Sequence, residues 1–291
     1  MGHHVCVDRN QLKTTFILTL LAALCVGVGS IWGSTGIFIG LAIGLLFTGG
    51  SYWFSDTIAI RAARAVPVSE AQMPEYYAVV RDLTRRAGLP MPRLYVTPDM
   101  QPNAFATGRN PEHAAVAVTQ GILQVLDWDE LRGVLAHELS HVGNRDILIS
   151  SVAATVAMAI TLLARFAAWG SLFFGGGRDG EGENIFELLA LIILAPLAAM
   201  LLQLALSRSR EYEADRSGAR LIGDGEPLAR ALAKIDATAR RVPMPYVRRE
   251  MAPMYIVNPL AGMNVSMKGL FSDHPPTPDR IARLRSREWA R

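Results

Sequence analysis

Two long apolar segments without a charged residue dominate the start of the chain. They cover about residues 15–32 and 36–54, and residues 33–35 form a short turn between them. Each segment approaches the roughly 20 residues that a helix needs to cross about 30 Å of hydrocarbon. The pattern predicts a transmembrane helical hairpin at 15–54. A cleaved signal peptide is the alternative for the first segment, although a second apolar run follows it at once.

Two further apolar segments follow at about 147–168 and 188–206. They are less uniformly apolar than the first pair, because the third contains Arg165 and the fourth contains Pro196. We interpret residues 147–206 as a second hairpin that crosses the membrane. A buried hairpin packed on a soluble domain is the alternative.

The basic residues near these segments predict the orientation in the membrane. The turn at 33–35 has none, and the loop at about 169–187 has one among several acidic residues. The others lie outside the two hairpins, at Arg9, Lys13, Arg61, Arg64, Arg132, Arg145, Arg208 and Arg210. The positive-inside rule then places both termini in the cytoplasm. Residues 55–146 and 207–291 would form one cytoplasmic domain in two parts.

The composition fits a protein that is partly embedded in lipid and partly soluble. Hydrophobic residues make up 51% of the chain and charged residues 19%, against about a quarter charged in soluble domains. The net charge of +3 is too small to indicate nucleic-acid binding. Cys6 and Cys25 have no metal-ligand spacing, and Cys25 lies in an apolar run.

The polar parts of the chain predict a mainly α fold with a small β-sheet. Apolar residues at helical spacing, with capping and stop signals, predict helices at 70–88, about 130–141, 211–222 and 226–240, and the tail at 278–287 is predicted to form a short basic helix. Asp127 or Asp129 can cap the second of these. Short β-type runs predict strands at 93–97 and 114–119.

The motif His137-Glu138-Leu139-Ser140-His141 carries the chemistry. Residues four apart share one face of a helix, so two imidazoles can bind one tetrahedral Zn²⁺ at about 2.0–2.1 Å. Glu138 flanks the metal, where it can take a proton from a zinc-bound water. Two surface histidines are the alternative, but the preceding turns are apolar and buried histidines need partners. The motif predicts one zinc ion per subunit.

A catalytic zinc site needs a third protein ligand and one open position. The downstream candidate is Glu211, which opens a helix after the fourth apolar segment. A hairpin at 147–206 would return the chain to the membrane face of His141. Asp215 lies four residues beyond Glu211 and can accept a hydrogen bond from a ligand imidazole. A solvated helix start, where carboxylates suit the helix dipole, is the alternative for this acidic cluster.

Three motifs together resemble the HtpX family of membrane metalloproteases, relatives of the zinc-dependent CaaX prenyl protease. They are His-Glu-Leu-Ser-His at 137–141, Ser-Arg-Ser-Arg-Glu-Tyr-Glu-Ala-Asp at 207–215 and Phe-Ser-Asp-His-Pro-Pro at 271–276. Asn103-Ala104-Phe105 also matches a short motif of that family. The resemblance covers nearly the whole chain, including two apolar segments on each side of the zinc helix.

The resemblance implies that Glu211 is the third zinc ligand in a zincin-like cytoplasmic metallopeptidase domain with four membrane helices. It also implies an endopeptidase of the bacterial inner membrane whose site faces the cytoplasm and which cleaves damaged or misassembled membrane proteins. The family usually has Thr before the tail histidine, whereas this chain has Asp273.

Further residues are candidates for substrate contacts. His274 lies in a turn-rich stretch and is the candidate for stabilising the oxyanion, with a structural loop histidine as the alternative. Asn103, Ala104 and Phe105 are expected along the cleft. There an extended edge can bind substrate backbone by strand addition, with Ala104 and Phe105 lining a side-chain pocket. A buried strand contact is the alternative. Arg280 is expected in an ion pair whose partner the sequence does not name.

Two other functions fit parts of this pattern. A narrower membrane peptidase that processes lipidated or prenylated peptides would use the same ligands, so the motifs cannot separate it from the broad protease. A non-catalytic zinc-binding membrane scaffold is the second alternative. Glu138 argues against the scaffold, because zinc binding alone needs no general base.

Overall fold

The structure is a computed structural model, and it describes residues 33–156, 208–241, 255–256 and 275–290 together with parts of 12–30. This part of the chain is mainly helical with one small sheet, as predicted. Its helices and strands are α1 (Gly33–Ala62), β1 (Val66–Pro67), α2 (Pro74–Ala87), β2 (Arg93–Thr97), β3 (Ala104–Thr107), β4 (Ala115–Thr119), α3 (Gln120–Val125), α4 (Trp128–Gly143), α5 (Ile147–Val156), α6 (Arg208–Ile222), α7 (Glu226–Arg241) and α8 (Thr277–Arg285). Short 3₁₀ turns occur at Pro111–His113 and Glu288–Ala290.

Helix α1 is long and apolar enough to cross a membrane. It has 30 residues. Its most apolar stretch of 18 residues has a mean hydropathy of 1.7, and only 17% of that stretch is buried. It is the one such helix among the described residues. The helix already begins at Gly33, where a turn was expected, and it continues past residue 54 to Ala62. Four membrane spans therefore stay a prediction, because residues 157–207 lie outside the described part of the chain.

A shorter apolar helix, Thr14–Gly27, packs closely on α1. Gly36, Gly40 and Gly44 are buried at four-residue spacing along α1. A Cβ atom at Gly40 would lie 2.4 Å from the backbone oxygen of Cys25. Small residues at this spacing let two helix backbones approach without steric conflict. The two helices of the first predicted hairpin are thus in direct contact.

The sheet has the strand order β1-β2-β4-β3. Strands β2 and β4 are parallel. Strand β1 pairs antiparallel with β2, and β3 pairs antiparallel with β4. The runs at 93–97 and 114–119 were predicted as strands, and both predictions are confirmed within one residue. Within the described residues, β3 forms the edge of the sheet.

Different elements cover the two faces of the sheet. Side chains alternate along a strand, so Val116 and Val118 face one side while Ala115 and Ala117 face the other. The valines join the large core with α2, α4 and α7. The alanines pack with Ala59 of α1 and with α5. The sheet therefore lies between α4 on one side and the apolar helices α1 and α5 on the other.

The end of α1 is joined to the sheet by polar contacts as well. Asp56 is buried, and its Oδ2 accepts a hydrogen bond from Arg93 Nη2 of β2 at 2.5 Å. The guanidinium of Arg109, in the turn after β3, lies 4.7 Å from the ring centroid of Trp53. The end of α1, from Trp53 onward, is thus joined directly to the sheet and to the turn after β3.

Helix α4 runs through the centre of the soluble domain. Asp127 caps it in a reciprocal box, in which Asp127 accepts from Glu130 N–H and the Glu130 carboxylate accepts from Asp127 N–H. The buried carboxylate of Glu130 also pairs with Lys234 Nζ of α7 at 2.7 Å. These contacts fix the start of the helix directly before Leu131, its first buried apolar residue.

The close contact between α4 and α7 depends on Gly133. A Cβ atom there would lie 2.5 Å from Leu228 N, which is backbone and cannot rotate away. We expect Gly133→Ala to lower the free energy of unfolding by about 1–3 kcal/mol, as overpacking does elsewhere. The measurement is chemical unfolding of the full-length protein in detergent, followed by tryptophan fluorescence.

Gly143→Ala in the same helix is the matched control. A Cβ atom there would meet only Leu89 Cδ1, at an ordinary 3.8 Å. Because alanine favours helix over glycine by up to about 1 kcal/mol, this variant should be as stable as the wild type or slightly more so. Equal stability of the two variants would contradict the packing interpretation.

Candidate metal centre

Helix α4 places the two motif histidines one turn apart, as predicted. Their Nε2 atoms are 3.2 Å from each other. His137 is buried and His141 is partly exposed. The two rings stand nearly perpendicular, with an interplanar angle of 89°. Two nitrogen lone pairs can therefore converge on one point beside the helix.

Helix α6 brings Glu211 to the same point. Glu211 Oε2 lies 3.7 Å from His137 Nε2, and Oε1 lies 3.6 Å from His141 Nε2. This approach requires a glycine two turns later on the same face of α6. A Cβ atom at Gly218 would lie 2.9 Å from His137 N. The glycine thus sets how closely the carboxylate helix can lie against the histidine helix.

The donor atoms fit a tetrahedral divalent cation. Two ligands at about 2.05 Å and the tetrahedral angle would be about 3.3 Å apart. The Nε2 atoms of the two histidines are 3.2 Å apart, and each lies 3.6 or 3.7 Å from a different oxygen of Glu211, so these separations are close to this value or slightly above it. Two imidazole nitrogens and one carboxylate are also a donor set that catalytic zinc sites use. A fourth position stays open for water or substrate.

Asp215 and Arg280 hold His137 from behind. Asp215 Oδ1 lies 2.9 Å from His137 Nδ1. Arg280, only 1% exposed, donates to both carboxylate oxygens of Asp215 at 2.8 and 2.7 Å and to Ile256 O at 2.7 Å. Burial would raise the pKa of Asp215, but the charge and hydrogen bonds of Arg280 lower it below its usual value. Asp215 is therefore the partner of Arg280 that the sequence did not name.

His141 has its own carboxylate partner, which the sequence analysis missed. Its Nδ1 lies 3.2 Å from Oδ2 of Asp146, a buried residue just after α4. Five residues along a continuous helix do not share a face, so helical spacing gave no signal. The chain leaves the helix at Arg145, whose φ of 57° turns Asp146 back towards the ring.

The charges around His141 change its acidity in the metal-free protein. Burial lowers the pKa of the imidazole, but the hydrogen bond to Asp146 and the charges of Glu211, Asp146 and Glu138 raise it to about 9. The ring is therefore protonated at neutral pH until a metal displaces the proton.

Glu138 is buried beside the two histidines. Its Oε2 accepts a hydrogen bond from Ala106 N of β3 at 3.0 Å. Burial raises the pKa of its carboxyl group, and the neighbouring His137 and His141 oppose this rise. The predicted base thus lies between the donor atoms and the edge strand of the sheet.

The motif at 103–105 forms the start of β3, and its side chains are buried. Asn103 Oδ1 accepts from Ile256 N at 3.0 Å, and Asn103 N donates to Thr119 Oγ1 at 2.9 Å. Phe105 packs against Ala59 of α1 rather than lining an open pocket. For these side chains the structure favours the alternative of a buried strand contact. His274 lies outside the described residues.

Comparison with known proteins gives one consistent result. Peptidase family M48 matches residues 70–288. A Protease HtpX homolog from Syntrophobacter fumaroxidans is 51% identical over 282 residues, which cover 95% of this chain and 99% of the relative. A second, from Syntrophotalea carbinolica, is 52% identical and covers 94% and 98%.

A solved structure shares the fold. The crystal structure of S. mikatae Ste24p aligns with a TM-score of 0.50 and 16% identity. The alignment covers 94% of this chain and 65% of that chain. The match to the relatives is much closer and extends over nearly the full length of both sequences.

The family match spans His137, His141 and Glu211, which could hold a metal ion, and Glu138 beside them. The resemblance to the HtpX family is thereby confirmed on independent grounds. The chain belongs to Peptidase family M48 and is a metallopeptidase.

Proposed function

We propose that this chain is a membrane-anchored zinc endopeptidase that faces the cytoplasm and cleaves damaged or misfolded membrane proteins. The observation that carries the proposal is the triangle of donor atoms with a buried carboxylate beside it. Family membership and the relatives named Protease HtpX homolog support the peptidase activity. Zinc, the cytoplasmic side and the substrate are our assignments.

His137, His141 and Glu211 would hold the metal. Their three donor atoms leave one side open, and this is the arrangement of a catalytic rather than a purely structural zinc site. When bound, zinc supplies a positive charge that polarises the scissile carbonyl and acidifies water. Asp215 accepts a hydrogen bond from the Nδ1–H group of His137, so Nε2 of the same ring faces the metal position.

Glu138 would move the proton. It accepts a proton from the attacking water and donates it to the leaving amine. Burial raises the pKa of its carboxyl group, which favours the protonated form that delivers the proton to the leaving amine. His274, which the tail motif singled out, would donate a hydrogen bond to the oxyanion.

The backbone of β3 would bind the substrate in an extended form. The N–H of Ala106 points away from β4 towards Glu138. Because peptide groups alternate along an antiparallel strand, the backbone of Ala104 points the same way. A substrate strand added there would run past the donor atoms. Asn103 supports this strand through its bond to Ile256.

The position of the site relative to α1 supports a membrane substrate. Phe38, Leu45 and Leu46 expose 72%, 61% and 75% of their surface along α1, which suits contact with lipid. The Asp56–Arg93 pair fixes the sheet to the end of this helix. We assign the site to the region where the loops and ends of other membrane proteins would emerge from the bilayer. The basic residues beside α1 support a cytoplasmic location for this surface, and the bacterial inner membrane is our assignment.

Substrate choice is tested by comparing three substrates with the full-length protein in lipid nanodiscs. We expect cleavage of unfolded casein and of a destabilised membrane protein with an exposed cytoplasmic loop. The folded form of the same membrane protein is the matched control and should stay intact. Cleavage confined to a prenylated peptide would instead support the narrow processing peptidase.

Glu138→Gln should abolish proteolysis while the metal stays bound. The amide keeps the size and one acceptor oxygen but cannot take a proton, so we expect kcat to fall by about 10²- to 10⁴-fold. The two measurements are casein cleavage and zinc content of the purified protein, which should stay near one ion per subunit. Full activity of this variant would rule out the assigned base.

Metal affinity should continue to rise with pH above the pH at which an ordinary histidine has lost its proton. The pKa of His141 is raised to about 9, so one proton must leave before zinc binds at lower pH. The apparent affinity should therefore increase about tenfold per pH unit from pH 7 to about 9 and then level off. Competition with a chromophoric chelator measures this dependence. A plateau that begins near pH 6.5 would contradict the raised pKa.

A further inference from the structure

We propose that α5 is a positioning element for both halves of the catalytic site, acting through Asp146 on the metal ligand His141 and through Ser151 on the strand β3. The inference rests on the proposed function. It assigns roles to two residues that lie outside the three donors and the base, and that the motifs did not single out.

The first contact orients the second histidine. Asp146 is 4% exposed and its Oδ2 lies 3.2 Å from His141 Nδ1. A buried carboxylate at this distance favours the proton on Nδ1, which leaves the lone pair of Nε2 for the metal. His137 has the same arrangement with Asp215. Each imidazole therefore has its own carboxylate, but the two carboxylates come from different parts of the chain.

Asp146 occupies the residue position directly before α5. Its carbonyl oxygen accepts the first helical hydrogen bond, from Ser150 N at 3.3 Å. Its own N–H donates to His141 O at 2.9 Å. Only the left-handed turn at Arg145 separates α4 from α5. A shift of α5 would therefore move the carboxylate that holds the imidazole.

The second contact holds the edge strand. Ser151, fully buried on α5, lies with its Oγ 2.7 Å from Thr107 Oγ1. Gly108 N also donates to Ser151 Oγ, at 3.3 Å. These bonds fix the end of β3 directly beside Ala106, whose N–H reaches Glu138. One serine thus anchors the strand that faces the base and the proposed substrate.

Both contacts come from the start of α5. Asp146 lies directly before the helix, and Ser151 lies on it five residues later. Asp146 and Ser151 lie at the start of the third apolar segment, which the sequence predicts to enter the membrane. The placement of this segment would then set two properties of the enzyme separately. The Asp146 contact affects metal affinity, and the Ser151 contact affects substrate binding.

Asp146→Ser tests the first contact. Serine caps a helix as well as aspartate does, but it is too short to reach the imidazole. We expect zinc affinity to fall about 10- to 100-fold, as loss of such partners does at other zinc sites. Asp146→Asn keeps an acceptor at the same distance and should lose less. Asp129→Ser, at an exposed position paired with Arg230, is the matched control and should keep wild-type affinity.

The readouts are zinc affinity by chelator competition and the visible absorption spectrum of the Co²⁺-loaded protein, both independent of proteolysis. A changed spectrum in Asp146→Ser would show an altered ligand geometry. If Asp146→Ser binds zinc like the wild type with an unchanged spectrum, the positioning role of Asp146 is wrong. Circular dichroism of both Asp146 variants checks that the fold is retained.

Ser151→Ala tests the second contact. Loss of one buried hydrogen bond should raise KM for casein roughly threefold to tenfold, with zinc affinity unchanged. Ser69→Ala is the control, because Ser69 is exposed and its hydroxyl donates to Gln72 Oε1, far from α5 in the sequence. An unchanged KM, or a loss of zinc affinity instead, would overturn the division of roles within α5.

The proposed function and the role of α5 would be refuted by different results. A wild-type protein that binds no zinc or cleaves no protein would refute the proposed function and this inference with it. A wild-type protein that binds zinc and cleaves casein, with variants equal to the controls, would refute only the role of α5.

Discussion

The close approach of α6 to α4 is the contact on which the whole centre depends. Gly218 lies against the backbone of His137, where a Cβ atom would come within 2.9 Å of the amide nitrogen. Because of this contact, Glu211 and Asp215, two turns and one turn earlier on the same face, reach the two opposite nitrogens of His137. Helix packing therefore supplies both a donor to the metal and a partner that orients the ring.

Without a bound cation, this buried centre has more negative than positive side chains. Glu138, Asp146, Glu211 and Asp215 are all buried carboxylates, and Arg280 is the buried arginine that faces them among the described residues. Buried charges of one sign are costly unless they are paired. The raised pKa of His141 supplies one positive charge in the metal-free protein. A divalent cation in the site would supply two.

The sheet connects this centre to the apolar helices α1 and α5. One face packs on α4, and the other packs on the end of α1 and on α5. The edge strand β3 meets Glu138 on one side and Ser151 on the other. The chemistry, the proposed substrate strand and the apolar helices therefore share a few direct contacts rather than long loops.

The sequence by itself determined the elements whose pattern is local. The spacing of His137 and His141, the cap at Asp127 and the two central strands all follow from residues within a few positions of one another. The tertiary structure alone decided what depends on contacts between distant segments. These are the length of α1, the buried state of Phe105, the partner of Arg280 and the role of Asp146 beside His141. Such contacts depend on how closely helices pack and where the chain turns, and helical or strand periodicity does not encode either of them.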